Sequence, residues 1–208
     1  MEIEIPISSL KLTGELLIPE NSIGIVVFSH GSGSSRFSPR NMLVAELLQK
    51  NNIGTFLFDL LTEEEDAVYE NRFNIDLLTK RLIDTTKSLM NNVTTKNLPI
   101  AYFGASTGAA SALKAAAYFG ESIKAVVSRG GRPDLVMNEL HNVKAPVLLI
   151  VGQLDLPVIE LNKRAFEHLN SIKELKIIPG ATHLFEESGK LEKVAELSIQ
   201  WYKKYFVD

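Results

Sequence analysis

The residues of this 208-residue chain most able to do chemistry stand at Gly104-Ala105-Ser106-Thr107-Gly108, a match to G-x-S-x-G. In that spacing a sharp turn holds the central serine in a strained backbone conformation and raises its hydroxyl. Glycines two places before and after leave room where the flanking segments crowd together. A hydroxyl is a weak nucleophile, so it needs a general base, and the base needs an orienting carboxylate. Among the 4 histidines, His183 in Pro179-Gly-Ala-Thr-His183 lies in a loop ahead of an apolar periodic segment, whereas His141 and His168 fall in or beside amphipathic stretches. Asp155, in Gly152-Gln-Leu-Asp155, is the matching acid; Asp134 follows Pro133 as a helix cap would, and Asp59 comes too early in the chain. The order Ser106, Asp155, His183 suits acyl transfer through a serine nucleophile.

Acyl transfer places negative charge on an oxygen and so requires preorganised N–H donors. The expected pair is the N–H of Thr107 and that of Ser32, in His30-Gly31-Ser32-Gly33, with Gly33 as the substitute and His30 shaping the loop. Arg129 and Arg36 are the expected contacts to an anionic part of a substrate, and Arg132 and Arg40 share their loops. The plainer reading of each arginine is an ion pair with a nearby acid.

These loops need elements to carry them. Ile3, Ile5 and Ile7 alternate as in a strand and Leu10 to Ile18 extends after them, so an antiparallel pair should open the chain. Apolar runs at Ile23 to Phe28, Gly54 to Phe58, Pro99 to Phe103, Ile123 to Ser128, Ala145 to Val151 and Leu175 to Ile178 read as further strands. Helical periodicity runs from Pro39 to Asn51, Leu77 to Leu89, Thr107 to Phe119, briefly over Leu135 to Leu140, then Ile159 to Leu169 and Phe185 to Phe206. This alternation predicts an α/β fold, a mostly parallel sheet with helices on both faces, as one domain over residues 1–208. Ligands of such sheets bind at the carboxyl ends of the strands, where the candidate residues lie. The run Glu63-Glu64-Glu65-Asp66 reads as surface charge in a solvated loop or first helical turn, and residues 60–71 as a loop whose closure over the site the sequence leaves open.

With 45% hydrophobic and 23% charged residues the chain can bury a core, which excludes intrinsic disorder. The net charge of -3 gives no footprint for nucleic acid or an anionic membrane, so the expected partner is a small-molecule substrate. The absence of cysteine excludes disulfides, a thiolate zinc site and a thiol nucleophile, and leaves zinc on His and carboxylates open with only 4 His to supply it; neither metal nor cofactor is expected. No apolar run approaches the roughly 20 residues of a membrane span, and the first ten residues do not resemble a secretory signal. A cytoplasmic protein, monomer or homodimer, is expected.

Together these features resemble the α/β-hydrolase superfamily and, within it, the small dienelactone hydrolase-like branch. Segments such as Ser29-His-Gly-Ser-Gly-Ser-Ser-Arg-Phe-Ser-Pro-Arg40, Ser128-Arg-Gly-Gly-Arg-Pro-Asp134 and Pro179-Gly-Ala-Thr-His-Leu-Phe-Glu186 are similar to a hydrolase subgroup also found fused to phosphoribosyltransferase domains. The resemblance implies an α/β-hydrolase fold, cleavage of small ester, thioester or lactone substrates, and a phosphoribosyltransferase partner. Dienelactone hydrolases use a cysteine nucleophile; here Ser106 takes that place, so the chemistry carries over and the dienelactone substrate does not. The interval from Ser128 to Ala145 is too short for a large lid.

Two rivals use the same fold differently. Gly31-Ser-Gly33 followed by a helix and Asp59 imitates a dinucleotide-binding unit, but Arg36 stands where the third glycine belongs. A catalytically silent module that binds or regulates is the other, since a complete set of residues does not prove turnover.

Overall fold

A computed structural model describes residues 2–7 and 10–207 of the chain. Eight strands form one sheet: β1 (Glu2–Ile7), β2 (Leu10–Leu17), β3 (Ile25–Ser29), β4 (Gly54–Phe58), β5 (Ile100–Ala105), β6 (Ile123–Arg129), β7 (Val147–Gly152) and β8 (Lys173–Ile178). Their order is β1-β2-β4-β3-β5-β6-β7-β8. The pairs β1–β2 and β2–β4 are antiparallel and the remaining pairs parallel, as the alternation predicts.

The central strands β3, β4, β5 and β7 are buried at every position, so both of their faces must be apolar. Val27, Phe56, Tyr102, Val126 and Leu149 point to one face, and Val26, Phe28, Leu57, Phe103, Val127 and Leu148 to the other. The first face is covered by α3 (Ile75–Asn91), α4 (Thr107–Phe119) and α5 (Leu156–His168), the second by α1 (Pro39–Gln49) and α6 (Lys190–Phe206). In α1 the buried residues Asn41, Val44, Ala45 and Leu48 follow the i, i+3, i+4, i+7 spacing of a one-sided helix. The result is an α/β-hydrolase fold whose β6–β7 connection holds only a kinked 3-10 segment, Pro133–Asn142, in place of a lid.

One expectation needs correction, and the segment at 60–71 takes a definite form. The last helix begins at Lys190, not at Phe185: Phe185 is buried with φ 59° and Gly189 has φ 74°, so residues 185–189 form a turn that ends before the helix starts. Residues 60–71 are structured, with the short helix α2 (Glu63–Asp66) closed by a capping box between Thr62 and Glu65 and a 3-10 turn at Tyr69–Phe73. The acidic run forms a first helical turn with Glu63 and Glu64 exposed, while Glu65 pairs with the buried Arg81 of α3 and Asp66 with Arg72. Among the described residues no helix is long and apolar enough to cross a membrane.

Candidate active site

The turn from β5 into α4 places Ser106 at φ 52°, ψ -122°, a region that costs a non-glycine residue on the order of 1–3 kcal/mol. The surroundings hold it there. A Cβ on Gly104 would come within 2.4 Å of Ala109 Cα, and one on Gly108 within 2.1 Å of the Ser29 carbonyl oxygen, so both positions require glycine. The Ser106 N–H donates to Arg129 O (3.2 Å) and Ser106 O accepts from the Arg132 N–H (3.0 Å), which ties the elbow to the end of β6. Ala109, Ala110, Ala112, Ala115 and Ala116 are fully buried and bring α4 onto the sheet.

Asp155 and His183 arrive from β7 and β8 on loops stitched together. Gln153 N–H donates to Ile178 O (2.9 Å), Leu154 N–H to Ala181 O (2.9 Å), and Gly180 N–H to the Gln153 side-chain oxygen (2.9 Å). A Cβ on Gly152 would meet the Ala181 and Thr182 carbonyl oxygens at 2.4 Å, so the two loops can approach only there. Glu187 Oε1 accepts from the Thr182 N–H (3.1 Å), and hydrogen bonding, first from the Thr182 side chain and then from its own backbone, holds the Glu187 carboxyl below its ordinary range. The outcome is a 2.6 Å hydrogen bond from His183 Nδ1 to Asp155 Oδ2. Because a carboxylate can only accept, the bond fixes a proton on Nδ1 and selects the tautomer in which Nε2 is the basic nitrogen of the neutral ring.

The rival acids Asp134 and Asp59 and the imidazoles of His168 and His30 are occupied elsewhere. Asp134 takes two bonds from Arg132, both 2.8 Å, Asp59 pairs with Arg36, and His168 donates to Arg164 O. His30 is buried: its Nδ1–H donates to Gly31 O (3.0 Å) and its Nε2 accepts from the Leu60 N–H (3.1 Å). Desolvation lowers the His30 pKa, so the ring stays neutral and pins the loop after β3 to the loop after β4.

Ser106 and His183 line one cavity of about 240 Å³ together with Gly31, Ser32, Arg129 and Leu184. No hydrogen bond joins the Ser106 hydroxyl to His183 among the described residues. The two expected oxyanion donors meet in an unforeseen way, since the Ser32 N–H donates to the Thr107 hydroxyl at 2.8 Å. A larger groove of about 840 Å³ lies beside Ile5, Leu16 and Leu89, remote from these groups, so volume alone does not mark the site.

The four arginines separate. Arg36 is fixed to Asp59 through its backbone and side chain and does not border the cavity. Arg132 is committed to Asp134. Arg40 reaches the cavity while its Nη1 pairs with Glu186 at 2.6 Å. Arg129 is buried, and its guanidinium has only Leu184 O and Asn41 Oδ1 nearby, each at 3.5 Å. Burial, with Arg40 adding repulsion, pulls its pKa down to about 10, which leaves it charged near neutrality. Ser34, Ser38 and Asn41 also border the cavity and were not singled out from sequence; only the closing of α1 onto the site brings them there. Among the described residues no group of three His, Asp or Glu could hold a metal ion.

Residues 40–206 match the model of the dienelactone hydrolase family. The chain is 52% identical over 201 residues, 97% of its length, to proteins of two Mycobacterium tuberculosis strains provisionally named phosphoribosyl transferases; it spans 45% of their length, about half. Its fold matches the dienelactone hydrolase of Anabaena variabilis with a TM-score of 0.96 and 51% identity, over 99% of this chain and 97% of that one. Est1E of Butyrivibrio proteoclasticus is similar in fold alone, with a TM-score of 0.85 at 16% identity over 100% and 99% of the two chains. A family match over most of the length, arising on a sheet that carries the serine elbow where that fold requires it, means that the chain belongs to the dienelactone hydrolase family, ester-hydrolysing members of the α/β-hydrolase fold.

Proposed function

We propose that the chain is a serine hydrolase that cleaves small ester, thioester or lactone substrates through an acyl-enzyme, with Ser106, His183 and Asp155 as its triad. The observation that carries this reading is the 2.6 Å bond from His183 to Asp155 at the mouth of the cavity that the strained Ser106 also lines. His183 Nε2 takes the hydroxyl proton as Ser106 Oγ bonds to the substrate carbonyl carbon. The charge that collects on the carbonyl oxygen is met by the Thr107 N–H, unpaired within the helix at its first turn; the Ser32 N–H on the opposing loop joins it only by leaving the Thr107 hydroxyl. When the intermediate collapses, the carbon–oxygen or carbon–sulfur bond breaks and the leaving group takes the proton from His183. Water then attacks the acyl-enzyme by the same route and frees Ser106. Asp155 remains ionised throughout and stabilises the imidazolium.

Arg129 is the substrate-facing cation in this reading, and Arg36 acts on the fold of its loop. An adjoining phosphoribosyl transferase unit is the proposed partner, in line with the names and greater length of the Mycobacterium tuberculosis relatives. The test is labelling of the folded protein with a fluorophosphonate. Mass should be gained on Ser106, lost in Ser106→Ala and sharply reduced in His183→Ala; an unlabelled, folded wild-type protein would sink the triad.

A further inference from the structure

The cavity beside Ser106 is lined by two arginines and by no carboxylate. Arg129 is only 7% exposed, yet no acid pairs with it among the described residues and its Nε has no hydrogen-bond partner. A buried cation without a counter-ion is costly, and a guanidinium whose two contacts are both 3.5 Å long is poorly satisfied. Arg40 adds a second charge and a second buried Nε without a partner. Around them stand the Ser34 and Ser38 side chains and the first turn of α1, which has no acidic residue. The partial positive charge at the N-terminus of this 11-residue helix adds to the field, while its first N–H groups serve the helix itself: Pro39 has none and Ser38 accepts from those of Asn41 and Met42.

From this arrangement we infer that the cavity holds a phosphate group carried by the substrate, bound by Arg129 and Arg40 while Ser106 attacks the ester carbon. This deepens the serine-hydrolase reading and rests on it. A planar carboxylate is satisfied by one guanidinium, whereas a tetrahedral dianion can use two cations, hydroxyl donors and a helix end approaching from different sides. Glu186 then acts as an internal competitor. In the free protein it holds Arg40 at 2.6 Å, and an arriving phosphate takes its place.

The experiment compares kcat/KM for matched short-chain esters that carry a phosphate, a carboxylate or no charge at the same position, alongside the rate at which a neutral fluorophosphonate labels wild-type Ser106 in the presence of inorganic phosphate. The phosphate ester should be preferred over the neutral one by roughly tenfold or more, as charge-assisted hydrogen bonds imply, and inorganic phosphate should slow labelling. Arg129→Met should bring the phosphate-to-neutral ratio close to unity, and Glu186→Gln should raise it. If Arg129→Met does not fold, Arg40→Gln and Glu186→Gln carry the test, with opposite shifts expected. Equal rates for the three esters, with Ser106 still labelled, overturn the phosphate site and leave the triad standing. A larger preference for the carboxylate ester overturns it as well, as does protection by free phosphate without any preference for the phosphate ester. Failure of labelling in the folded wild-type protein overturns the triad itself.

Discussion

The backbone N–H of Ser32 ends on the side-chain hydroxyl of Thr107, 2.8 Å away, so the residue after the proposed nucleophile also orients the loop that faces it. Thr107 is buried at the start of α4, and no water is needed to complete the bond. Replacing Thr107 with Val keeps the shape but leaves the Ser32 N–H without an acceptor. We expect the loop to lose its anchor and kcat to fall about tenfold, the scale of one lost buried hydrogen bond, and Thr107→Ser to restore most of it. Steady-state kinetics on a short-chain ester checks this; equal kcat in Thr107→Val and wild type would refute the role.

The bond between His183 and Asp155 fixes the tautomer that a general base requires. Asp155→Asn would favour the wrong one, so kcat should drop on the order of 10³–10⁴-fold while the protein stays folded. Steady-state kinetics of both proteins on a short-chain ester tests this, and equal kcat contradicts it.

Gly108 sits under the Ser29 carbonyl with no space for a methyl group, the Cβ position being 2.1 Å from that oxygen. Gly108→Ala must push α4 away from β3, at a cost of about 2–4 kcal/mol, and displace Ser106 with it. Thermal melts and activity should both suffer. An alanine at Gly104 faces a similar clash with Ala109 and should behave alike.

His30 makes folding sensitive to acid. Its folded pKa lies below the ordinary 6.5, so the stability it contributes is present above that value and is lost as pH falls towards the folded pKa, because the unfolded chain takes up a proton that the folded one refuses. The slope from this single group is at most about 1.4 kcal/mol per pH unit. Urea unfolding at about pH 7.5 and about pH 5.5 should show a smaller loss in His30→Gln, whose amide oxygen can still accept from Leu60, than in the wild type. An identical loss in both would assign the acid sensitivity to other groups.

The succession of strands along the chain, the helix from Thr107 to Phe119 and the loops that carry Ser106, Asp155 and His183 were legible because each rests on local signals: both-sided apolar runs, flanking glycines, chain order. What was not legible depends on contacts across the fold. Phe185 looks like the start of the last helix because it is apolar, but its left-handed backbone is set by burial and by the turn around Glu187. Arg36 and Arg40 lie four residues apart in similar company, and only the placement of Asp59 and Glu186 decides which one is tied down outside the cavity and which one borders it. Glu65 finds Arg81 16 residues away, a pairing that no charge pattern discloses.

The proposed base hangs from the margin of the sheet. His183 follows β8, which pairs with β7 alone and is only partly buried, whereas Ser106 follows β5, held between β3 and β6. Openings at a sheet margin require less free energy than global unfolding. Warming should therefore release the imidazole while the elbow is still formed, so that activity fades reversibly some degrees below the cooperative melt. The outermost strand, more than the core, then sets the upper temperature at which this enzyme works.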